Sequence, residues 1–146
     1  KPARFVLATA EKRVGGGSRI VLGRAVPLES PPASGAWHYL TVKAGAGTET
    51  AAWKERIRDA LIQAGASRLP DGPVEVQMAW RGSSSRSWVN LWKPTGDAMG
   101  PVLGEPKSAN PFNPQDDRIV SLGLHFVADD TVGHAVEVGM WWRSHS

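Results

Sequence analysis

Cysteine is absent from this sequence of 146 residues, which excludes a disulfide framework, thiolate metal ligands and a cysteine nucleophile. No apolar run approaches the roughly 20 residues that span a bilayer, so no membrane partner is expected. The residues after Lys1 contain no long apolar segment of a signal peptide. We therefore expect a cytoplasmic protein, and the first residue, which is not methionine, indicates a trimmed or incomplete N-terminus.

Neither sign of charge is in large excess, because 17 basic residues stand against 14 acidic ones and give a formal net charge of +3. A nucleic-acid binder that is recognised by charge alone has a much denser basic stripe. The aromatic residues are mostly tryptophan, with seven Trp beside one Tyr and three Phe. Exposed indoles can stack on nucleobases, but Trp is highly buried on average, and packing in the core is the favoured role for most of them.

The length and a hydrophobic fraction of 41% fit one domain with its own core. Six β-rich runs, separated by Gly- and Pro-rich segments, cover residues 4–9, 19–24, 37–42, 74–80, 119–127 and 133–143. The first two runs are predicted to form one hairpin and the last two another, in which His125 and His134 would meet as a cross-strand pair without a metal.

Two segments have helical character instead. From Thr48 the apolar residues Trp53, Ile57 and Leu61 share one face, and Gly65 is suited to end this helix. A second helix is predicted within residues 90–100, and its first turn has to contain Pro94, because proline is tolerated there and not further along. The sequence therefore predicts a single domain of the α/β (α+β) class with two main helices.

The residues that suggest chemistry lie in this second helix and at the start of the fifth β-rich run. On a helix, Asn90, Lys93 and Asp97 project from one side. The simpler interpretation is a solvated face with a Lys93–Asp97 ion pair. Asp116 and Asp117 precede the β-rich run, where the simpler interpretation is an acidic pair that caps a turn.

Together these residues resemble the RusA-type Holliday-junction resolvases. The family pattern is Arg-Asp-x-Asp-Asn-x-x-Lys-x-x-x-Asp-Ala-Leu, then a loop, then Asp-Asp shortly before Ile or Val at the start of a strand. The matching residues are Arg86, Asn90, Lys93, Asp97, Ala98, Asp116, Asp117, Ile119 and Val120. With weaker motifs upstream, the resemblance covers about residues 20–127.

The resemblance implies a RusA-like mixed sheet that carries both helices, and a homodimeric, Mg²⁺-dependent endonuclease that cuts branched DNA at four-way junctions. Lys93 and Asp117 would be the catalytic residues. The two family acids that precede Asn90 are replaced by Ser87 and Val89, which leaves Asp97, Asp116 and Asp117 as metal ligands. Since Mg²⁺ needs several hard oxygen ligands, the sequence predicts a weak magnesium site or none, and weak or lost cleavage.

Contacts to DNA would come from the basic and amide side chains around this site. The predicted DNA-binding residues are Arg81, Arg86, Asn90, Lys93 and Arg118. A second hypothesis belongs to another class: a RusA-like scaffold without its metal acids that serves as a protein-interaction or assembly module through its Trp-rich surfaces.

Overall fold

The structure is a computed structural model, and it describes residues 7–12, 18–23, 35–44, 50–83, 91–105, 112, 114–132 and 135–145. The strands in these ranges are β1 (Leu7–Lys12), β2 (Ser18–Gly23), β3 (His38–Ala44), β4 (Val74–Gly82), β5 (Ile119–Ala128) and β6 (Val136–Ser144). The helices are α1 (Thr50–Gln63), α2 (Trp92–Asp97) and α3 (Gly100–Leu103).

All of these strands belong to one six-stranded sheet in the order β2-β1-β5-β4-β6-β3. The β4 and β5 strands are parallel, and every other neighbouring pair is antiparallel. The sheet is therefore mixed, and the predicted α/β (α+β) class is confirmed. The antiparallel pairing of β1 with β2 also confirms the N-terminal hairpin.

The predicted C-terminal hairpin is wrong, because β5 and β6 do not pair with each other and β4 lies between them. Seven of the nine β4 positions are buried. A strand that is buried along most of its length needs a partner on each edge, since its backbone N–H and C=O groups have no access to water. His125 bonds Gln77 of β4, and His134 lies outside the described residues.

Helix α1 packs its apolar stripe onto one face of the sheet, as its period predicted. Trp53, Ile57 and Leu61 are each no more than 1% exposed and share one core with residues of β3, β4 and β6. The helix ends where Gly65 takes a φ of +75°, and the Ala66 N–H then donates to the Leu61 carbonyl at 3.0 Å. This left-handed glycine is the predicted end of the helix.

Helix α2 begins at Trp92, so that Pro94 lies in its first turn as predicted, and it is shorter than the segment suggested. After Asp97 the chain turns and starts α3, which contains Pro101. Within the ranges given above, no helix has the length and apolarity that crossing a membrane requires.

The face of the sheet away from the helices carries polar pairs that cover β4 on that side. Gln77 accepts a hydrogen bond from His125 at 2.8 Å, and both side chains are buried. Gly123 on β5 permits this arrangement, since a Cβ there would overlap the Gln77 amide. Nearby, Arg143 donates to Glu75 at 3.0 Å and stacks under the Trp37 ring at 3.9 Å.

Candidate functional site

The start of α2 and the start of β5 meet at Lys93. Its ammonium donates to Asp97 Oδ1 at 2.8 Å, one helical turn further on, and to Asp116 Oδ2 at 3.3 Å. Asp116 belongs to a single 3₁₀ turn, Asp116–Arg118, that leads into β5. The first contact is the predicted ion pair within the helix, and the second joins residues that are 23 positions apart in the chain.

A fourth charged residue joins this group from α1. Lys54 Nζ lies 3.3 Å from Asp97 Oδ2 and 5.7 Å from the centre of the Phe112 ring. We call Lys54, Lys93, Asp97 and Asp116 the lysine–aspartate cluster; its two positive and two negative charges balance. Sequence analysis missed Lys54, because on α1 it is one of several charged residues on a polar face, and only the packing of α1 against α2 brings it here.

The ammonium of Lys93 is stabilised in its charged form. The hydrogen bond to Asp97, with a further one to Asp116, raises the pKa of Lys93 above its usual value, against the opposing effect of burial. The Lys93 side chain is nevertheless 55% exposed. Ion pairs that are this exposed contribute little net stability, so a phosphate that approaches Lys93 can replace an aspartate at small cost.

The position of α2 depends on one buried hydroxyl. Thr95 Oγ1 accepts hydrogen bonds from the Trp53 indole at 2.9 Å and from the Trp80 indole at 3.4 Å. The same hydroxyl donates to the Leu91 carbonyl at 2.6 Å. Since Trp53 belongs to α1 and Trp80 to β4, Thr95 links α2 to both elements and fixes the helix that carries Lys93.

Replacing Thr95 with valine is expected to lower the free energy of unfolding by about 2 kcal/mol, because two buried indole N–H groups lose their acceptor while the shape is kept. Thr95→Ser keeps the hydroxyl and loses one methyl group, for which a smaller loss of about 1 kcal/mol is expected. Urea unfolding of both variants measures the difference. If Thr95→Val is as stable as Thr95→Ser, the shared hydrogen bonds are not what holds α2.

Arg118 is engaged within the protein. Its guanidinium donates to the carbonyls of Gly72 at 3.0 Å, Leu103 at 2.6 Å, Leu69 at 3.3 Å and Pro70. These bonds use most of its five N–H donors. Arg118 therefore ties the segment between α1 and β4, and the end of α3, to the turn that holds Asp116.

Asp117 points to a different place from its neighbour Asp116. It lines an open surface pocket of about 380 Å³ together with Arg68 and Arg118, whereas Asp116 is the acid that contacts Lys93. Of the two predicted catalytic residues, Lys93 thus lies in the lysine–aspartate cluster, and Asp117 lies beside it on an exposed turn.

Of the remaining predicted DNA contacts, Arg81 lies away from Lys93. Arg81 pairs with Glu137 at 3.3 Å, and it alternates along β4 with Trp80, whose indole reaches Thr95 of α2. Because successive side chains of a strand point to opposite faces, Arg81 lies on the face of the sheet away from the helices. Arg86 and Asn90 lie outside the described residues.

The three predicted metal ligands do not form a ready site for Mg²⁺. Asp97 and Asp116 both accept hydrogen bonds from the Lys93 ammonium, and a divalent cation at the same oxygens would be repelled by that charge. Among the residues that the structure describes, no three His, Cys, Asp or Glu side chains are placed to hold a metal ion. Asp97 and Asp116 are thus engaged with Lys93 in this arrangement, and the weak magnesium site stays a prediction.

Comparison with known proteins adds no relative, since no family model and no curated protein matches the sequence. The resemblance to RusA-type resolvases therefore depends on the residues quoted above. Of these, Lys93, Asp97 and Asp116 converge in the structure, and this convergence is what a functional proposal has to explain.

Proposed function

We propose that this chain is a RusA-like domain that binds branched DNA, in particular four-way junctions, and whose magnesium-dependent cleavage is weak or lost. The single observation that carries the proposal is the contact of Lys93 with both Asp97 and Asp116. It supports the proposal because the helix lysine and the acid before the strand are separate parts of the family pattern, and they meet at an exposed surface.

The electrostatics of this surface favour binding over cleavage. Lys93 is charged and half exposed, so its ammonium is accessible to a phosphate, and the less exposed Lys54 lies on the other side of Asp97. Because the carboxylates balance the lysine charges, we expect only a modest affinity for DNA. Contacts between lysines and phosphates are weakened by salt, so this affinity should fall as the salt concentration rises. The carboxylates are also occupied by ammonium groups, so the charge needed to attract a catalytic Mg²⁺ is already compensated.

The structure changes which residues we propose as DNA contacts. Lys93 remains the principal one, and Lys54 is added to it. Arg118 is proposed as a positioning residue for the turn with Asp116, because its donors reach backbone carbonyls. In this proposal the protein acts as a homodimer, as the resemblance implies, and it acts in the cytoplasm, as expected from a sequence without cysteine or an apolar signal segment.

Titration of a four-way junction and of a duplex of equal length at two salt concentrations tests the proposal. We expect the junction to bind more tightly, with two chains per junction, and its affinity to fall as salt rises. Lys93→Gln should weaken junction binding and lower the salt slope by about one charge, whereas the control Lys43→Gln, an exposed lysine on β3, should leave both unchanged.

The same mixtures, incubated with Mg²⁺ and separated on a denaturing gel, show whether cleavage survives. Little or no product is expected. Rapid cleavage would contradict the proposed loss of activity, while a junction affinity that is absent or independent of salt would remove the DNA proposal. In that second case the assembly module becomes the better hypothesis.

A further inference from the structure

Trp92 is a large apolar side chain that the fold leaves at the surface. It is 37% exposed, while Leu91 before it is 2% exposed and Thr95 is fully buried. The inner side of α2 is therefore formed by Leu91 and Thr95, and Trp92 and Lys93 lie on its outer side. An exposed indole is unfavourable in water, which raises the question of what it contacts.

The other exposed large apolar residues differ from Trp92. Tyr39 is stacked on Trp141, with ring centres 4.8 Å apart and an angle of 28° between the planes, so one of its faces is already covered. Ile62 is aliphatic and has no ring to stack. Within the described part of the chain, Trp92 is thus the exposed aromatic residue for which no stacking partner is found.

Trp92 lies beside the lysine–aspartate cluster, whose positive and negative charges balance. Its immediate neighbour Lys93 presents a half-exposed ammonium, and Lys54 stands across Asp97 beside the ring of Phe112. Aromatic faces next to lysines are the combination by which proteins hold unpaired nucleotides, with the ring stacked on a base and the ammonium near the backbone.

We propose that the Trp92 indole is the stacking platform for an unpaired nucleobase at the branch of a DNA junction. This inference rests on the proposed DNA binding and makes it more specific, because the preferred ligand then has a base that is out of the duplex stack. Bases within a continuous duplex are stacked on both faces, so Lys93 alone would bind the paired arms, and Trp92 would supply the preference for an unpaired nucleotide.

The test compares two four-way junctions, one fully paired and one with a single unpaired 2-aminopurine at the branch point. The wild-type protein is expected to bind the second junction about tenfold more tightly, since stacking on an aromatic ring supplies about this factor or more. Quenching of the 2-aminopurine fluorescence on binding reports the stacking directly, without any variant of the protein.

Variants then assign the effect to one ring. Trp92→Leu should abolish the preference for the unpaired base, Trp92→Phe should retain most of it, and the control Ile62→Ala, an exposed apolar residue on α1, should keep all of it. The unfolding midpoint of each variant shows that it is folded. A preference that persists in Trp92→Leu overturns the assignment to Trp92.

The wild-type result separates this inference from the proposed function. If both junctions bind equally well and the affinity falls with salt, stacking by Trp92 is wrong while DNA binding stands. If neither junction binds, the proposed function fails, and the inference fails with it.

Discussion

Replacing Arg118 with alanine is expected to lower the free energy of unfolding by about 3 kcal/mol, because a charged donor group that serves four backbone carbonyls is removed at once. The carbonyls of Leu69, Pro70 and Gly72 lie before β4, and that of Leu103 ends α3. Without the Arg118 guanidinium, these carbonyls lose their donor, and the turn before β5 is no longer linked to the segment before β4 or to the end of α3. Urea unfolding followed by circular dichroism measures the change.

Two further variants test whether the stability depends on the planar guanidinium of Arg118, with its several N–H donors. Arg118→Lys keeps the charge but has a compact ammonium in place of a planar guanidinium, so we expect it to recover less than half of the stability. Arg56→Ala is the matched control, since Arg56 is exposed and makes one long hydrogen bond to the Lys43 carbonyl at 3.4 Å; a change within about 0.5 kcal/mol is expected. An Arg118→Ala protein as stable as the wild type would contradict the role given to Arg118.

Stability is also expected to fall as the pH is lowered from 6.5 to 4, because His125 resists protonation in the folded protein. Burial lowers the pKa of His125 from 6.5 to about 4. Above pH 6.5 neither state binds the proton, and the full stability is present. Between these pH values the unfolded chain takes up a proton that the folded protein does not, which reduces the free energy of unfolding by up to about 3 kcal/mol.

Urea unfolding at half-unit steps of pH measures this dependence. In His125→Gln the new amide is able to bond Gln77, so the fold is kept while the titrating group is lost. The slope of the unfolding free energy between pH 6.5 and 4 should then decrease by the amount that corresponds to about one proton. His145→Gln, which removes an exposed imidazole near Glu75, is the control and should keep the decline. An unchanged slope in His125→Gln would show that His125 is not the cause.

The predictions for Arg118 and His125 concern different parts of the fold. Arg118 supports the turn that holds Asp116, and Asp116 is one partner of Lys93. On the face of the sheet away from the helices, His125 forms a buried polar pair with Gln77, whereas the sequence predicts that His125 meets His134 in a hairpin. A loss of DNA binding in Arg118→Ala at a temperature where the variant is folded would connect the first of these to function.

Much of the fold could be predicted, because its elements have clear local patterns. Trp53, Ile57 and Leu61 recur with the period of a helix, and Gly65 is suited to the left-handed end that the structure shows. The position of Pro94 in the first turn of α2 followed from the geometry of proline. In each case the residues that carry the information are within one or two turns of one another.

The order of the strands could not be predicted in the same way. Two β-rich runs with a short connection suggested a hairpin of β5 with β6, but β4 is inserted between them. Which strand occupies the centre is decided by the burial of both faces of β4, and that burial depends on Gln77 and Ala79 being covered by residues from other strands. The local propensity of a segment to form a strand does not tell which other strands it will pair with.

The contacts of the candidate site are likewise of two kinds, those within one helix and those between elements that are distant in the sequence. The sequence by itself determined the Lys93–Asp97 pair, because a separation of four residues on a helix places two side chains together. Only the tertiary structure decided that Asp116 and Lys54 join them, and that Arg118 turns to backbone carbonyls. The physical reason is that these contacts join residues from α1, α2 and the start of β5, whose relative positions are fixed by the packing of both helices on the sheet.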